Sequence, residues 1–342
     1  MTMGNQMPKP FGQHMAAEIN EAMAVFANTA TQDLTAQVAA LGLDDVRAFY
    51  TIARGSSDAA ANIVSYEMMR ELGKPVTSLP PSVFSLGDGV EMADTAGIVI
   101  SQSGASDDLV LSAKGFTDNG GKVIALTNAP ASAVEAAADL TVRIGAGPEK
   151  AVPATKTVIG SVAAGLALLG ALKPDYAKRA VASAATLAAI TSHDHPQSGD
   201  LQSALLRARH VYVIGRDTGF GAAHEIALKI KETCAIHAEA YSSSEVLHGP
   251  LQLATNPLMV LMLDTGQSHI QDSLNTAQAR FQKIGATVIR LRASDVTDGE
   301  LTPAAAAALL LYLVYPVILN VALALGLDPD APQTLAKVTQ TT

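Results

Sequence analysis

The chain has 342 residues, enough for two domains of ordinary size and a core that needs no cross-links. Its formal charge is −9, from 23 Lys+Arg against 32 Asp+Glu, which argues against a nucleic-acid surface and leaves local dipoles and hydroxyls to hold any anion. The single cysteine, Cys234, excludes an intrachain disulfide and reads as a buried structural thiol in a reducing compartment.

The N-terminal Met-Thr-Met-Gly-Asn-Gln-Met-Pro lacks the basic-then-apolar order of a signal peptide, so a cytoplasmic location is expected. From about Lys9 to Leu43, Met15, Ile19, Met23 and Phe26 recur at helical spacing and predict a helical segment. Apolar strand-like runs then alternate with Ala-rich helical stretches. The predicted strands are Ala48–Ala53, Gly97–Ser101, Lys122–Thr127 and Leu140–Ile144. Such alternation predicts an α/β fold, doubly wound around a parallel sheet covered on both faces.

After the connector "TSHDHPQSGD" from Thr191, the pattern restarts. "VYVIGRDTGFGAAHEIALKIKE" from Val211 parallels "FYTIARGSSDAAANIVSYEMMRE" from Phe49. "LMLDTGQS" from Leu261 parallels "VISQSGAS" from Val99, and "IGATVIRL" from Ile284 parallels "GGKVIALT" from Gly120. Three matches in one order imply an internal duplication. The expected organisation is a helical segment over 1–43, domains over 44–192 and 193–327, and a tail over 328–342. Within the connector, His193, Asp194 and His195 match no common zinc spacing. The uncharged run from Ala304 to Leu327 is long enough to cross a bilayer, but acidic residues flank it on both sides, so a buried helix is expected and no membrane partner.

The two copies differ at the turn after their second strand. The first has Ser101-Gln102-Ser103-Gly104-Ala105-Ser106, and the second has Leu263-Asp264-Thr265-Gly266-Gln267-Ser268. In a parallel sheet this turn lies at the carboxyl edge, where ligands bind, and the following helix aims its free N–H groups at it. Hydroxyls and the Gln102 amide suit a phosphate monoester held without lysine or arginine. The plainer alternative is a Ser-rich turn in which Ser106 is an N-cap and Asp107 or Asp108 serves the dipole. In the second copy Asp264 would repel an anion. "ARGSSDAAANIV" from Ala53 supplies Ser56 and Ser57 at a second strand-to-helix turn and is not a dinucleotide fingerprint.

"HEIALKIKE" from His224 puts Glu225, Lys229 and Glu232 on one helix face. Spacing alone fits an exposed Glu–Lys pair; the functional alternative is a carboxylate ordered by a lysine one turn away. His248 lies in a Gly-Pro turn, and Lys337 lies near the chain end.

Together "SQSGASDD", "HEIALKIKE", "HAEAYSSSEVLHGP" and "DPDAPQTLAKVT" resemble the sugar isomerase (SIS) family. Within it the chain is similar to the isomerase half of glucosamine-6-phosphate synthase and, more closely, to stand-alone glucosamine-6-phosphate deaminases of the second type. The resemblance implies two tandem SIS domains. Ser101, Gln102, Ser103, Ser106 and Ser57 would hold a sugar phosphate, and Ser56 would touch the sugar. Val152 and Ala154, in "AVPATKT" from Ala151, would occupy sugar-contacting positions. A serine of the synthase stands where this chain has Ala154. Glu232 would move the proton between C1 and C2, with Glu225 and Lys229 in the same network. His248 would open the ring from a partner subunit, and Lys337 would sit at the carbonyl end of the sugar.

The implied assembly is a homodimer with composite sites, without cofactor or metal. The expected activity releases ammonia from glucosamine 6-phosphate to give fructose 6-phosphate, because no glutaminase domain fits in the roughly forty residues ahead of the first repeat. The alternatives are an isomerase or deglycase of another amino-sugar phosphate, and a non-catalytic phosphosugar-binding regulator. For the tail, Leu335 and Val338 are expected to pin the segment, with Lys337 beside a second cation, Lys229.

Overall fold

The computed structural model describes residues 11–337; Lys9 and Val338 lie outside them. The N-terminal segment is two helices rather than one, α1 (Gln13–Ala30) and α2 (Thr35–Ala40). Asp33 accepts the Thr35 N–H at 3.0 Å and so restarts the chain after the break.

The first half runs β1 (Ala48–Ile52), α3 (Gly55–Leu72), β2 (Val76–Ser78), α4 (Ser82–Ser85), β3 (Thr95–Ser101), α5 (Asp107–Asp118), β4 (Lys122–Thr127), α6 (Ala133–Ala136) and β5 (Leu140–Arg143). Three helices follow, α7 (Lys156–Leu172), α8 (Pro174–Ala188) and α9 (Ser198–Arg207). The second half runs β6 (His210–Gly215), α10 (Thr218–Cys234), β7 (His237–Ser242), β8 (Met259–Asp264), α11 (Gln271–Ile284), β9 (Thr287–Arg292) and α12 (Pro303–Ala324).

The strands form two all-parallel sheets, ordered β2-β1-β3-β4-β5 and β7-β6-β8-β9. The duplicated segments fall on β1 and β6, β3 and β8, and β4 and β9, which hold the same places in their sheets. The turns after β1 and β6 also match: Gly55 and Asp217 share a left-handed φ, 53° and 59°. The short edge strand β2 and its counterpart β7 were not expected from the sequence, and β5 has no second-half equivalent.

Parallel strands must bury both faces, and alternate residues do so here. Ile98 and Ile100 of β3, with Leu261 and Leu263 of β8, face one large core shared by the two halves, while Val99 and Val260 face separate outer clusters. α12 is the uncharged run. It is long and apolar enough to cross a membrane, yet it is buried in the shared core, as expected. Pro316 within it removes one helix hydrogen bond without ending the helix. α10 packs against both α3 and α12, so it joins the second half to the first. Cys234, the last residue of α10, is buried, its thiol is pushed up to about 11 by burial, and it donates to the Ile318 carbonyl at 3.5 Å. The connector is packed: His195 is buried against Asp295 at 3.1 Å, and His193 reaches Asn20 at 2.7 Å. Among the described residues no cluster of His, Cys, Asp and Glu has the arrangement of a metal site.

Candidate active site

A cavity of about 360 Å³ lies at the carboxyl edge of the first sheet, between β1, β3 and the start of α5. Its wall contains Ser56, Ser57, Ser101, Gln102, Ser103, Ser106, Val152 and Ala154, together with Lys229, Glu232 and Lys337. A larger crevice, about 540 Å³, opens at the opposite edge of the second sheet beside Arg207, Arg209 and His210, and holds none of the sequence candidates.

The serine turn is ordered by its own backbone. Ser101 Oγ accepts the Gly104 N–H at 3.1 Å and Ser103 Oγ accepts that of Ala105 at 3.3 Å. Each hydroxyl therefore keeps its proton to donate into the cavity. Ser106 stands at the N-cap of α5 but makes no side-chain cap, which leaves its hydroxyl to the cavity as well. Asp108 is buried, bonds the Leu109 N–H and pairs with Arg54 Nε at 2.6 Å. Arg54 lines the cavity with its side chain 48% exposed. Arg54, which was not singled out from the sequence, joins Lys229 and Lys337 in the cavity wall.

The opposite wall comes from α10. The reading of Glu225 and Lys229 as an exposed pair is overturned, because both side chains are fully buried. Lys229 donates to Ser56 Oγ at 2.9 Å and to Glu232, and lies 3.5 Å from Glu225. Burial works against the Lys229 charge, but two carboxylates outweigh it and raise the ammonium's pKa. One lysine cannot neutralise both acids. Burial lifts Glu225 to about 7, its Oε1 accepts from Tyr315 at 3.1 Å, and its Oε2 has no partner among the described residues. Glu232 faces the cavity with 24% of its side chain exposed. The arrangement can hold a proton on Glu225 while Glu232 stays paired and reachable.

The described part of the tail reaches the same cavity through Leu335, Ala336 and Lys337. Lys337 donates to Glu149 at 3.2 Å and to the Ala151 carbonyl at 2.6 Å. Its ion-pair partner is the carboxylate of Glu149, and Lys229 lines the same cavity. Glu149 is buried and also accepts from Thr155 and Thr157, tying the Val152 loop to the start of α7. Leu335, expected to pin the tail, is 43% exposed, and Val338 lies outside the described residues. Among the described residues, the far end of the tail is held by polar contacts, while Leu327 packs on the core and Pro329 is buried at its near end. His248 does not reach this cavity: it lies exposed in the 3-10 turns after β7. Arg54, Glu149 and Glu18, which accepts the Lys150 and Ala151 N–H groups, were not anticipated. Arg54 had a signal, an arginine between a strand end and a glycine. The two glutamates had none.

An α/β fold built twice, with a hydroxyl-rich turn facing a buried lysine–carboxylate network, defines a class of phosphosugar-binding domains. The chain belongs to the SIS domain family, whose profile matches residues 42–171 and 204–315. It is 32% identical over 329 residues to a glutamine–fructose-6-phosphate aminotransferase (isomerizing) of Aeropyrum pernix, covering 84% of this chain and 50% of that protein. The chain spans about half the length of the curated relatives it matches. A candidate phosphosugar isomerase from Silicibacter pomeroyi superposes with a TM-score of 0.83 at 33% identity, over 93% of this chain and 99% of that one. The fold is also that of glucosamine-6-phosphate deaminase from Thermotoga maritima, with a TM-score of 0.75 at 19% identity over 96% and 100% of the two chains.

Proposed function

We propose that this phosphosugar isomerase-family chain converts glucosamine 6-phosphate and water to fructose 6-phosphate and ammonia. One observation carries the reading: Glu232, paired to buried Lys229, shares a cavity with the serine turn. The turn hydroxyls and the N-terminus of α5 suit a phosphate dianion, whose binding fixes the reacting carbons at a distance from it. Ser57 joins that anchor. Ser56, Val152 and Ala154 contact the sugar.

In the open-chain aldose, Glu232 removes the proton on C2, giving an enolamine, and returns a proton to C1. The product is the C2 imine. Water adds to C2, the amine leaves as ammonia, and the ketose remains. Glu225 and Lys229 hold the charge balance of Glu232. Lys337 stands at the carbonyl end, where an amine can form a Schiff base with the ketose. Ring opening falls to His248 of a second copy, since an imidazole carries protons near neutral pH. The site is then complete only in a homodimer. The direction is the one named for the Thermotoga maritima deaminase, which this chain covers along its whole length.

The test is ammonia release from glucosamine 6-phosphate by the purified chain, with fructose 6-phosphate as co-product. Absence of both would refute the reading; if no ammonia came from glucosamine 6-phosphate but a ketose formed from an aldose 6-phosphate that carries no amine, the activity would move to that substrate. For the dimer, inactive His248→Ala and Glu232→Gln proteins should regain activity when their subunits exchange. A monomer at assay concentration excludes the composite site.

A further inference from the structure

The tail from Leu327 to Lys337 forms no helix or strand, and Gln333 to Ala336 are exposed. Packing holds only the near end, where Leu327 meets the core and Pro329 is buried, so polar contacts must set where Lys337 lies. The anchors are at the two ends of the segment. At its far end, Lys337 meets Glu149 and the Ala151 carbonyl. At its near end, both carboxylate oxygens of Asp330 are used. Asp330 Oδ2 accepts the His14 N–H at 2.9 Å and Oδ1 accepts the Met15 N–H at 2.8 Å. These are free donors in the first turn of α1, a helix with no side-chain cap of its own and no acidic residue in that turn. The cap arrives from 316 residues away.

Asp330 also joins the tail to the site. Its carbonyl accepts the Val152 N–H at 2.9 Å, in the loop that lines the cavity. Asp328 supports it by accepting the Gly12 N–H at 3.3 Å and the Asp330 N–H at 3.0 Å. One turn into α1, Glu18 holds the backbone of Lys150 and Ala151, the second of which receives Lys337. The start of α1 thus bears on both ends of the Lys337 contact.

We propose that Asp330 is a positioning residue: by capping α1 and bonding the Val152 loop, it sets Lys337 at the cavity. The proposal rests on the role given above to Lys337. The clamp itself can be measured without any turnover, by acetylating the full-length protein and following Lys337 against the other lysines by mass spectrometry. Asp330→Ala should raise Lys337 labelling several-fold. It should lower kcat by about 10²-fold, the size of effect expected from a misplaced reacting group, while KM for the sugar phosphate moves less than about 2-fold. Asp330→Asn, which keeps one acceptor, should fall between. Thr29→Val removes a buried bond from α1 to the Ile144 carbonyl, 2.6 Å long, without touching the tail, and should change neither labelling nor kcat.

Unchanged Lys337 labelling in Asp330→Ala overturns the proposal. So does an equal response in Thr29→Val, which would show only that α1 was loosened. If the wild-type protein turns over no sugar phosphate, the functional reading fails, while the labelling result still decides the clamp.

Discussion

The carboxyl edges of the two sheets begin from one pattern and end in opposite chemistry. In the first half, the turn after β3 offers hydroxyls to a cavity, and its buried acid, Asp108, is balanced by the half-exposed Arg54. In the second half, the turn after β8 is filled from within. Asp264 accepts Arg290 at 2.7 Å and 3.1 Å, and also the Gly266 N–H and the Gln271 amide at 2.9 Å each. Asn275, Gln278 and Gln271 take the remaining Arg290 donors. Asp264 was expected to repel an anion. The structure shows a stronger reason for the difference: its own carboxylate occupies the donors that an anion would need. Duplication supplied two turns. One was kept open to a cavity, and the other closed over its own buried carboxylate.

The second half still faces the first half's cavity, through Glu232 on α10. Removing that contribution should have the largest effect. Glu232→Gln should lower kcat by about 10³-fold with little change in phosphate affinity, as measured by steady-state kinetics and inorganic-phosphate inhibition. Near-normal turnover would break the idea that the halves share one site. The next effect concerns stability. Asp264→Ala leaves Arg290 buried without its counter-charge and should cost about 3–5 kcal/mol in urea unfolding. Asp108→Ala frees an arginine that already reaches water and should cost about 1–2 kcal/mol, mainly the lost bond to Leu109. Equal costs would mean that the two acids are not doing different jobs.

The fold was largely legible because burial on both faces forces uncharged strands, and uncharged strands between helices have few other solutions. The duplication was legible for the same reason, down to which strands correspond. The site was legible where chemistry is local, as in the serine turn. It failed where chemistry depends on tertiary approach. A Glu–Lys pair one turn apart looks solvated, yet Ile226, Ala227, Leu228 and Ile230 make that stretch of α10 apolar around its circumference, the sign of a buried helix. Glu149, Glu18 and Asp330 act on backbone groups far away in sequence, and no spacing rule reports such contacts.

The joint between the halves contains a buried carboxyl group, Glu67. Glu67, on α3, accepts from Tyr176 at 2.8 Å and from the Ala304 N–H at the start of α12 at 2.7 Å. Burial raises its carboxyl from 4.5 to about 7. Between those values the folded chain keeps a proton that the unfolded chain has lost. The Glu67 contribution is therefore complete below the lower value and is lost as pH rises through the higher one. Glu67→Gln should remove on the order of 2–3 kcal/mol of pH dependence between pH 5 and 8 relative to wild type, measured by urea unfolding at each pH. Parallel profiles would show that Glu67 does not titrate across that range.

The smallest effect sharpens the comparison at a single position. Gly104 and Gly266 are equivalent in the two turns, and both have positive φ, 60° and 88°. Alanine at either must adopt a left-handed conformation, which costs about 1–2 kcal/mol. Their surroundings differ. A Cβ on Gly104 would stand 2.1 Å from Ser132 Oγ and 2.4 Å from Ser132 Cβ, while one on Gly266 would meet nothing within 4 Å. Ser132 caps α6, and the Gly104 carbonyl accepts the Val134 N–H at 3.0 Å, so the serine cannot move without disturbing the turn. Gly266→Ala should therefore show only the backbone cost in its unfolding midpoint, with KM unchanged. Gly104→Ala should lose more stability and also weaken phosphate binding, because Ser101 and Ser103 are held by the backbone on either side of it. If the two substitutions had the same stability cost and neither altered inhibition by inorganic phosphate, the tight packing beneath the first turn would have no part in shaping the site.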